Sequence, residues 1–177
     1  NIPDWAVAYR IITTPQGTRI GVLGFTAPFI LTLPLLNWMP EEIDSALQRI
    51  LPELAGKADI NILLSHLGLT TDRYLAEHYP ELHVIIGAHT HHLLEHGEKR
   101  GNSLIAAAGR YGDHIGRIEL EIEDGKLVHM QARTVVTDDL PAVHEDEIEI
   151  AGYQTSGEQQ LAKRVIADLP TAYTTDI

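Results

Sequence analysis

Val84-Ile85-Ile86-Gly87-Ala88-His89-Thr90-His91-His92 is an apolar run that stops at a glycine and then delivers three histidines within four positions. A short apolar run closed by glycine predicts a buried strand. Side chains alternate along a strand, so a backbone that stays extended past Ala88 would project His89 and His91 to one side. Two imidazoles side by side at a strand end are a common grip on divalent ions.

The preceding segments repeat this pattern. Asp59 to Ser65 contains Ile60-Asn61-Ile62-Leu63-Leu64 and predicts a second buried strand, with His66 where it ends. Arg19 to Phe25 lacks polar alternation and predicts a strand buried on both faces. Val7 to Thr13 reads as a strand closed by the turn Thr14-Pro15-Gln16-Gly17. Two helices are expected between these strands. One is opened by Pro40, with Ile43, Ala46, Leu47, Ile50, Leu51 and Leu54 at helical spacing, weakened by Pro52 and ended by Gly56. The other runs from Thr71 to His78 and stops at Pro80. Leu82 to Ile86 is the strand that enters the histidine motif. Alternating strands and helices predict an α/β layered fold, in which ligands gather outside the carboxyl ends of strands. His66 and His89 both fall at such ends.

Beyond His92 the character changes. Gly97 to Gly101 reads as a turn and Ser103 to Ala108 as a strand of small residues. Ile115 to Glu123 alternates, with Ile118, Leu120 and Ile122 on one face and glutamates on the other. Asp124-Gly125 signals a hairpin whose return strand is Lys126 to Val136. Thr137 to Ile150 is acidic and contains Pro141, which suits a linker or an irregular crossing, and Ser156 to Leu169 has helical spacing.

The 177 residues, 44% of them hydrophobic, suffice for one domain with a real core. A net charge of −12 without a basic cluster argues against a nucleic-acid backbone as partner, since that binding needs concentrated Lys and Arg. It does not exclude a small phosphate substrate, because bound cations supply positive charge locally. With no cysteine, metal ligation would fall to histidines and carboxylates. Ile20 to Met39 carries no charge, but Gly21, Gly24, Pro28, Pro34 and Asn37 interrupt it. A buried strand and an apolar loop fit it better than a membrane span. The chain begins at Asn1 with no signal peptide and reads as an excerpt.

Neither histidine motif suffices alone. Among ten histidines a His-x-His pair arises by chance about as often as not, and an isolated His66 would more often be a core or capping residue. Their joint placement at the ends of two neighbouring strands favours a metal site. His92 and His96 read as supporting or solvent-facing, His78, His83, His129 and His144 as surface residues, and His114 as packing a turn sooner than lining a pocket. Gly109, Gly112 and Gly116 precede no helix start and form no phosphate cradle. Ser65 lacks the elbow of a nucleophile.

Leu63-Leu64-Ser65-His66-Leu67-Gly68, followed by Ile85-Ile86-Gly87-Ala88-His89-Thr90-His91, resembles the second half of the calcineurin-like metallophosphoesterases. Within them it resembles most the 5′-nucleotidase branch, with its UDP-sugar hydrolases and cyclic-nucleotide phosphodiesterases. Arg19 to Thr26, Ala107 to Gly112 and Gly116 to Leu120 fit that branch in order, so the resemblance covers about Tyr9 to Val136. Ala88 departs from it, standing where the family usually has a second glycine.

The resemblance implies an incomplete layered α-β-β-α sandwich. Residues 1–137 would be the C-terminal half of the catalytic domain, 138–155 a linker, and 156–177 an interdomain helix with the start of a truncated C-terminal domain. Two divalent ions, zinc or manganese, would sit in the complete protein, with His66 and His89 on one and His91 on the other. The family's bridging Asp, Asp-x-His pair and Asn-His dyad, and its general acid, come from motifs upstream. This chain contains no Asp-x-His and no Gly-Asn-His. The missing N-terminal half and C-terminal domain would be its partners, a nucleotide or other phosphate ester its substrate, and neither nucleic acid nor membrane would be involved. The compartment stays open between cytoplasm and envelope or secreted space.

The rival reading is a non-catalytic α/β interaction or regulatory module that keeps the fold and uses the apolar loop Pro28 to Trp38 as its contact surface. The enzyme reading expects the encoding frame to continue upstream with Asp-x-His and Gly-Asn-His-Asp, which sequencing of the transcript checks. Translation that starts near Asn1 would remove it.

Overall fold

A computed structural model of the chain describes residues 6–29, 33–123, 125–141, 152, 153 and 156. The chain divides into two units, Asn1–Asp139 and Leu140–Ile177. Few residues of the second unit are described, so the expected helix from Ser156 to Leu169 and most of the 138–155 linker lie outside the described residues.

The first unit is built on a six-stranded sheet in the order β1-β2-β3-β4-β6-β5. Its strands are β1 (Tyr9–Thr13), β2 (Arg19–Thr26), β3 (Ile60–His66), β4 (Val84–Gly87), β5 (Glu98–Arg100) and β6 (Ser103–Ala106). The apolar runs pair in parallel, β2 with β3, β3 with β4 and β4 with β6, while β1 and β5 flank them antiparallel. Helices α1 (Ile43–Leu54) and α2 (Leu69–His78) connect β2 to β3 and β3 to β4. A separate ribbon pairs β7 (His114–Glu123) with β8 (Lys126–Val136), with a bulge at Glu121/Ile122. Gly125 takes a left-handed φ of 74° at its turn, as the hairpin signal required; Asp124 lies outside the described residues.

Register decides which side chains meet. Leu23, Leu63, Ile85 and Ile105 stand in one row across the four parallel strands, and each is at most 1% exposed. This row packs with Leu47, Leu51, Leu54 and Leu75 of the two helices in one hydrophobic core. Gly24, Leu64, Ile86 and Ala106 form the next row, on the opposite face by strand alternation. There Leu64 is 48% and Ile86 40% exposed. The expectation that Arg19 to Phe25 is buried on both faces is therefore corrected at this row. Helices cover one face, while Gly24 and its neighbours Leu64 and Ile86 are exposed on the other, which closes only toward β6 at Val84, Leu104 and Ala106.

Two further expectations are corrected. Pro40 does not open α1, which starts at Ile43 after Glu42 in extended conformation. Gly97 to Gly101 is not a turn throughout, because Glu98–Arg100 forms edge strand β5 and the reversal falls at Gly101-Asn102. A highly charged triplet resembles a loop in sequence, yet charge suits a sheet edge. The charges on β5 also have a task. Glu98 accepts from Arg73 of α2 at 2.7 Å and from Arg100 at 2.6 Å, which ties the edge strand to the helix.

Hydrogen bonding to Arg73 is the main force that lowers the Glu98 carboxyl from 4.5 to about 2, with Arg100 assisting against partial burial. Its proton is therefore bound less tightly in the folded chain. The stabilisation is complete above about pH 4.5 and is lost as pH falls toward about 2. Glu98→Gln should cost about 1 kcal/mol at pH 7, given the solvent screening of both guanidinium groups. In denaturant titrations its difference from the unsubstituted chain should shrink toward zero at the acid end.

Candidate metal centre

β3 ends at His66, paired with Thr26 of β2, and β4 ends at Gly87, paired with Ser65. The next residues do not stay extended. His89 adopts φ 71° and the Thr90 amide donates to the Ala88 carbonyl at 2.9 Å, so the chain reverses in a three-residue turn. His91 is also left-handed, at φ 56°. Such conformations cost a non-glycine residue about 1–2 kcal/mol each. Several hydrogen bonds hold the loop against that cost. The Leu69 amide, in the first turn of α2, donates to Thr90 Oγ1 at 3.2 Å. His92 Nδ1 lies 2.8 Å from the same hydroxyl, and the Gly109 amide donates to the His92 carbonyl at 3.0 Å. The expectation that His89 and His91 share one side of a strand is corrected by this turn.

Tertiary structure instead brings together His66 and His89. His66 Nε2 and His89 Nδ1 are 3.3 Å apart, with ring centroids 4.9 Å apart and planes inclined at 62°. Two nitrogens each about 2.0–2.1 Å from a tetrahedral zinc ion would stand about 3.3 Å apart, so the spacing fits two ligands of one ion. Both rings are exposed. His91 is not part of this pair; its ring lies 6.3 Å from that of Tyr111. Among the described residues, no group of three or more His, Cys, Asp or Glu side chains is arranged to hold a metal ion.

The apolar loop lies beside this pair. Phe29 meets the His89 ring edge-on at 6.1 Å, and Leu33 and Trp38 join Leu64, His66 and Ile86 around a cleft of about 1060 Å³. Residues 30–32 of the loop lie outside the described residues.

Beneath the pair is a contact that the sequence reading missed. Asp72 is 1% exposed and Ser65 3% exposed, and the Ser65 hydroxyl donates to Asp72 Oδ1. Burial pushes the Asp72 carboxyl above the ordinary range, against the opposing Ser65 hydrogen bond. The available signal was a carboxylate on the inward stripe Leu69, Asp72, Leu75 and Ala76, where an apolar residue is the rule. Ser65, set aside as a nucleophile, is a buried donor.

His92, His96 and His129 are exposed, His114 is half-buried at the start of β7, and exposed His78 lies 2.8 Å from the Tyr74 carbonyl. His83, read as a surface residue, is half-buried. Its Nδ1 accepts from the Asn61 amide at 3.0 Å, and burial lowers its pKa. His144 lies outside the described residues.

No family model matches the chain. Relatives and solved structures do. The metallophosphoesterase YunD of Bacillus subtilis (strain 168) is 39% identical over 123 residues, which is 70% of this chain and 27% of that protein. Protein 5NUC of Lutzomyia longipalpis is 35% identical over 94 residues, covering 50% of this chain and 16% of it. The structure of a 5′-nucleotidase precursor from Thermus thermophilus matches 90% of this chain and 36% of its own, with TM-score 0.71 and 22% identity. The sulfate thiohydrolase SoxB of the same organism, solved with glycerol, matches 86% of this chain and 29% of its own, with TM-score 0.69 and 25% identity.

The mixed α/β sheet is thus that of a metallophosphoesterase. The chain belongs to the metallophosphoesterases. It spans between about a sixth and about a third of the length of these relatives.

A Cβ on Gly87 would stand 2.5 Å from Asp72 Oδ2. Gly87→Ala should therefore destabilise the chain by about 1–3 kcal/mol in urea denaturation. Ala88→Gly, at an exposed position, should change stability by less than about 1 kcal/mol.

Proposed function

We propose that this chain forms one side of a metal-dependent phosphoric ester hydrolase acting on nucleotides, of the 5′-nucleotidase, UDP-sugar hydrolase or cyclic phosphodiesterase type. One observation carries the reading: the 3.3 Å approach of His66 Nε2 and His89 Nδ1 at the ends of neighbouring parallel strands. The named relatives support it. By this reading His66 and His89 hold one divalent ion and His91 contributes to a second, with zinc or manganese suited to imidazole donors. When bound, such ions lower the pKa of a coordinated water and neutralise charge that develops on a phosphoryl group.

The chain's own residues hold and orient. Thr90 fixes the loop that carries His89 and His91 through its hydrogen bond with the Leu69 amide. Phe29 packs edge-on against the His89 ring, which limits its rotation. The two rings offer lone pairs only as neutral imidazoles, so ligation competes with protonation. No general acid is assigned among these residues; in this reading it belongs to the part of the protein that precedes them. The open row of Gly24, Leu64 and Ile86 then packs against the other half of the sandwich, which would remove its apolar surface from water.

The isolated chain is expected to bind at most one zinc or manganese ion, loosely, and to release no phosphate from AMP. Elemental analysis of the complete protein should show metal lost in both His66→Ala and His89→Ala. Rapid hydrolysis of AMP or a phosphate diester by the isolated chain would sink the half-site reading, and unchanged metal content in both variants would sink the ligand assignment.

A further inference from the structure

We propose that Asp72 is the positioning residue of the histidine pair: through Ser65, and against Gly87, it sets how the ends of β3 and β4 present His66 and His89 to one another. The proposal rests on the reading of that pair as metal ligands. Ser65 Oγ donates to Asp72 Oδ1 and accepts from the Leu67 amide at 3.2 Å, so one hydroxyl brackets His66 from both sides. The other carboxylate oxygen faces Gly87, the register partner of Ser65 and two residues before His89. One carboxyl group therefore touches both strand ends from a single helical turn. The same turn holds the far side of the loop, where Leu69 donates to Thr90 and Gly68 leaves room for the Thr90 methyl group.

Stability alone does not account for this carboxyl. A buried polar group costs free energy unless its hydrogen bonds are replaced, and a leucine would suit the inward stripe of α2 better. What the carboxylate supplies is a directional link to a serine that immediately precedes a histidine. Such supporting contacts orient ligands, and their removal typically lowers metal affinity by roughly 10–100-fold.

The test uses the 177-residue chain in two measurements. One is the NMR cross-peak between carbon-bound ring protons of His66 and His89 in metal-free protein; the other is zinc affinity by calorimetry. Asp72→Ala and Ser65→Ala should lose the cross-peak and weaken zinc by roughly tenfold or more. Asp72→Asn keeps an acceptor toward Ser65 and should retain the cross-peak, with affinity within roughly threefold. Leu47→Ala, destabilised in the core away from the histidines, should retain both.

The proposal is overturned if Asp72→Ala or Ser65→Ala keeps the cross-peak, or if Leu47→Ala loses it equally. If Asp72→Ala does not fold, Ser65→Ala decides. Failure of the unsubstituted chain to bind zinc would count against the metal reading alone, since the cross-peak still decides whether Asp72 sets the ring geometry.

Discussion

The parallel register of β2, β3 and β4 is the constraint on which the rest depends. It sets Thr26 beside His66 and Ser65 beside Gly87, so two strands end within one residue step of each other. The same register builds the buried row from Leu23 to Ile105 that anchors both helices. A slip by one residue would turn every side chain of a strand to the other face. It would expose that row and carry His66 away from His89 together. Core packing and site geometry are therefore held by the same pairing.

The helices contribute more than cover. α2 begins shortly after His66 and returns a buried carboxyl to the strand the chain has just left. Two positions beyond Asp72, Tyr74 stacks on His78 at 4.1 Å, so one side of the helix faces solvent while the other reaches the strand ends. Arg73 ties the helix to the sheet edge through Glu98. Inward and lateral contacts thus fix a short helix whose apolar stripe alone is modest.

The histidine pair is set beside the exposed part of the sheet. Leu64 and Ile86 are apolar and substantially exposed beside the same cleft that contains His66. Parallel strands usually bury both faces, because each needs cover that a helix or second layer supplies. Here the second face is closed toward β6, where Val84 and Leu104 are at most 1% exposed, and open only around Leu64 and Ile86, beside the histidines.

The sequence by itself determined the alternation of buried strands and helices, the hairpin at Gly125, and the arrival of His66 and His89 at strand ends. These follow from local apolar periodicity, glycine and proline, which act over a few residues. The paired histidine motifs also carried the family resemblance. Three features were not legible: the left-handed turn at His89, the strand at Glu98–Arg100, and the Ser65–Asp72 contact. Each depends on partners distant in the chain or on how much solvent remains after packing. The turn is held by Leu69 and Gly109, and β5 by Ser103 and Arg73. Asp72 stands at helical spacing with Leu69, Leu75 and Ala76, but that spacing does not name Ser65 as its partner. Local patterning decided where the histidines arrive, and only the tertiary structure decided that His89 turns toward His66 while His91 does not, because loop direction is set by contacts made across the sheet.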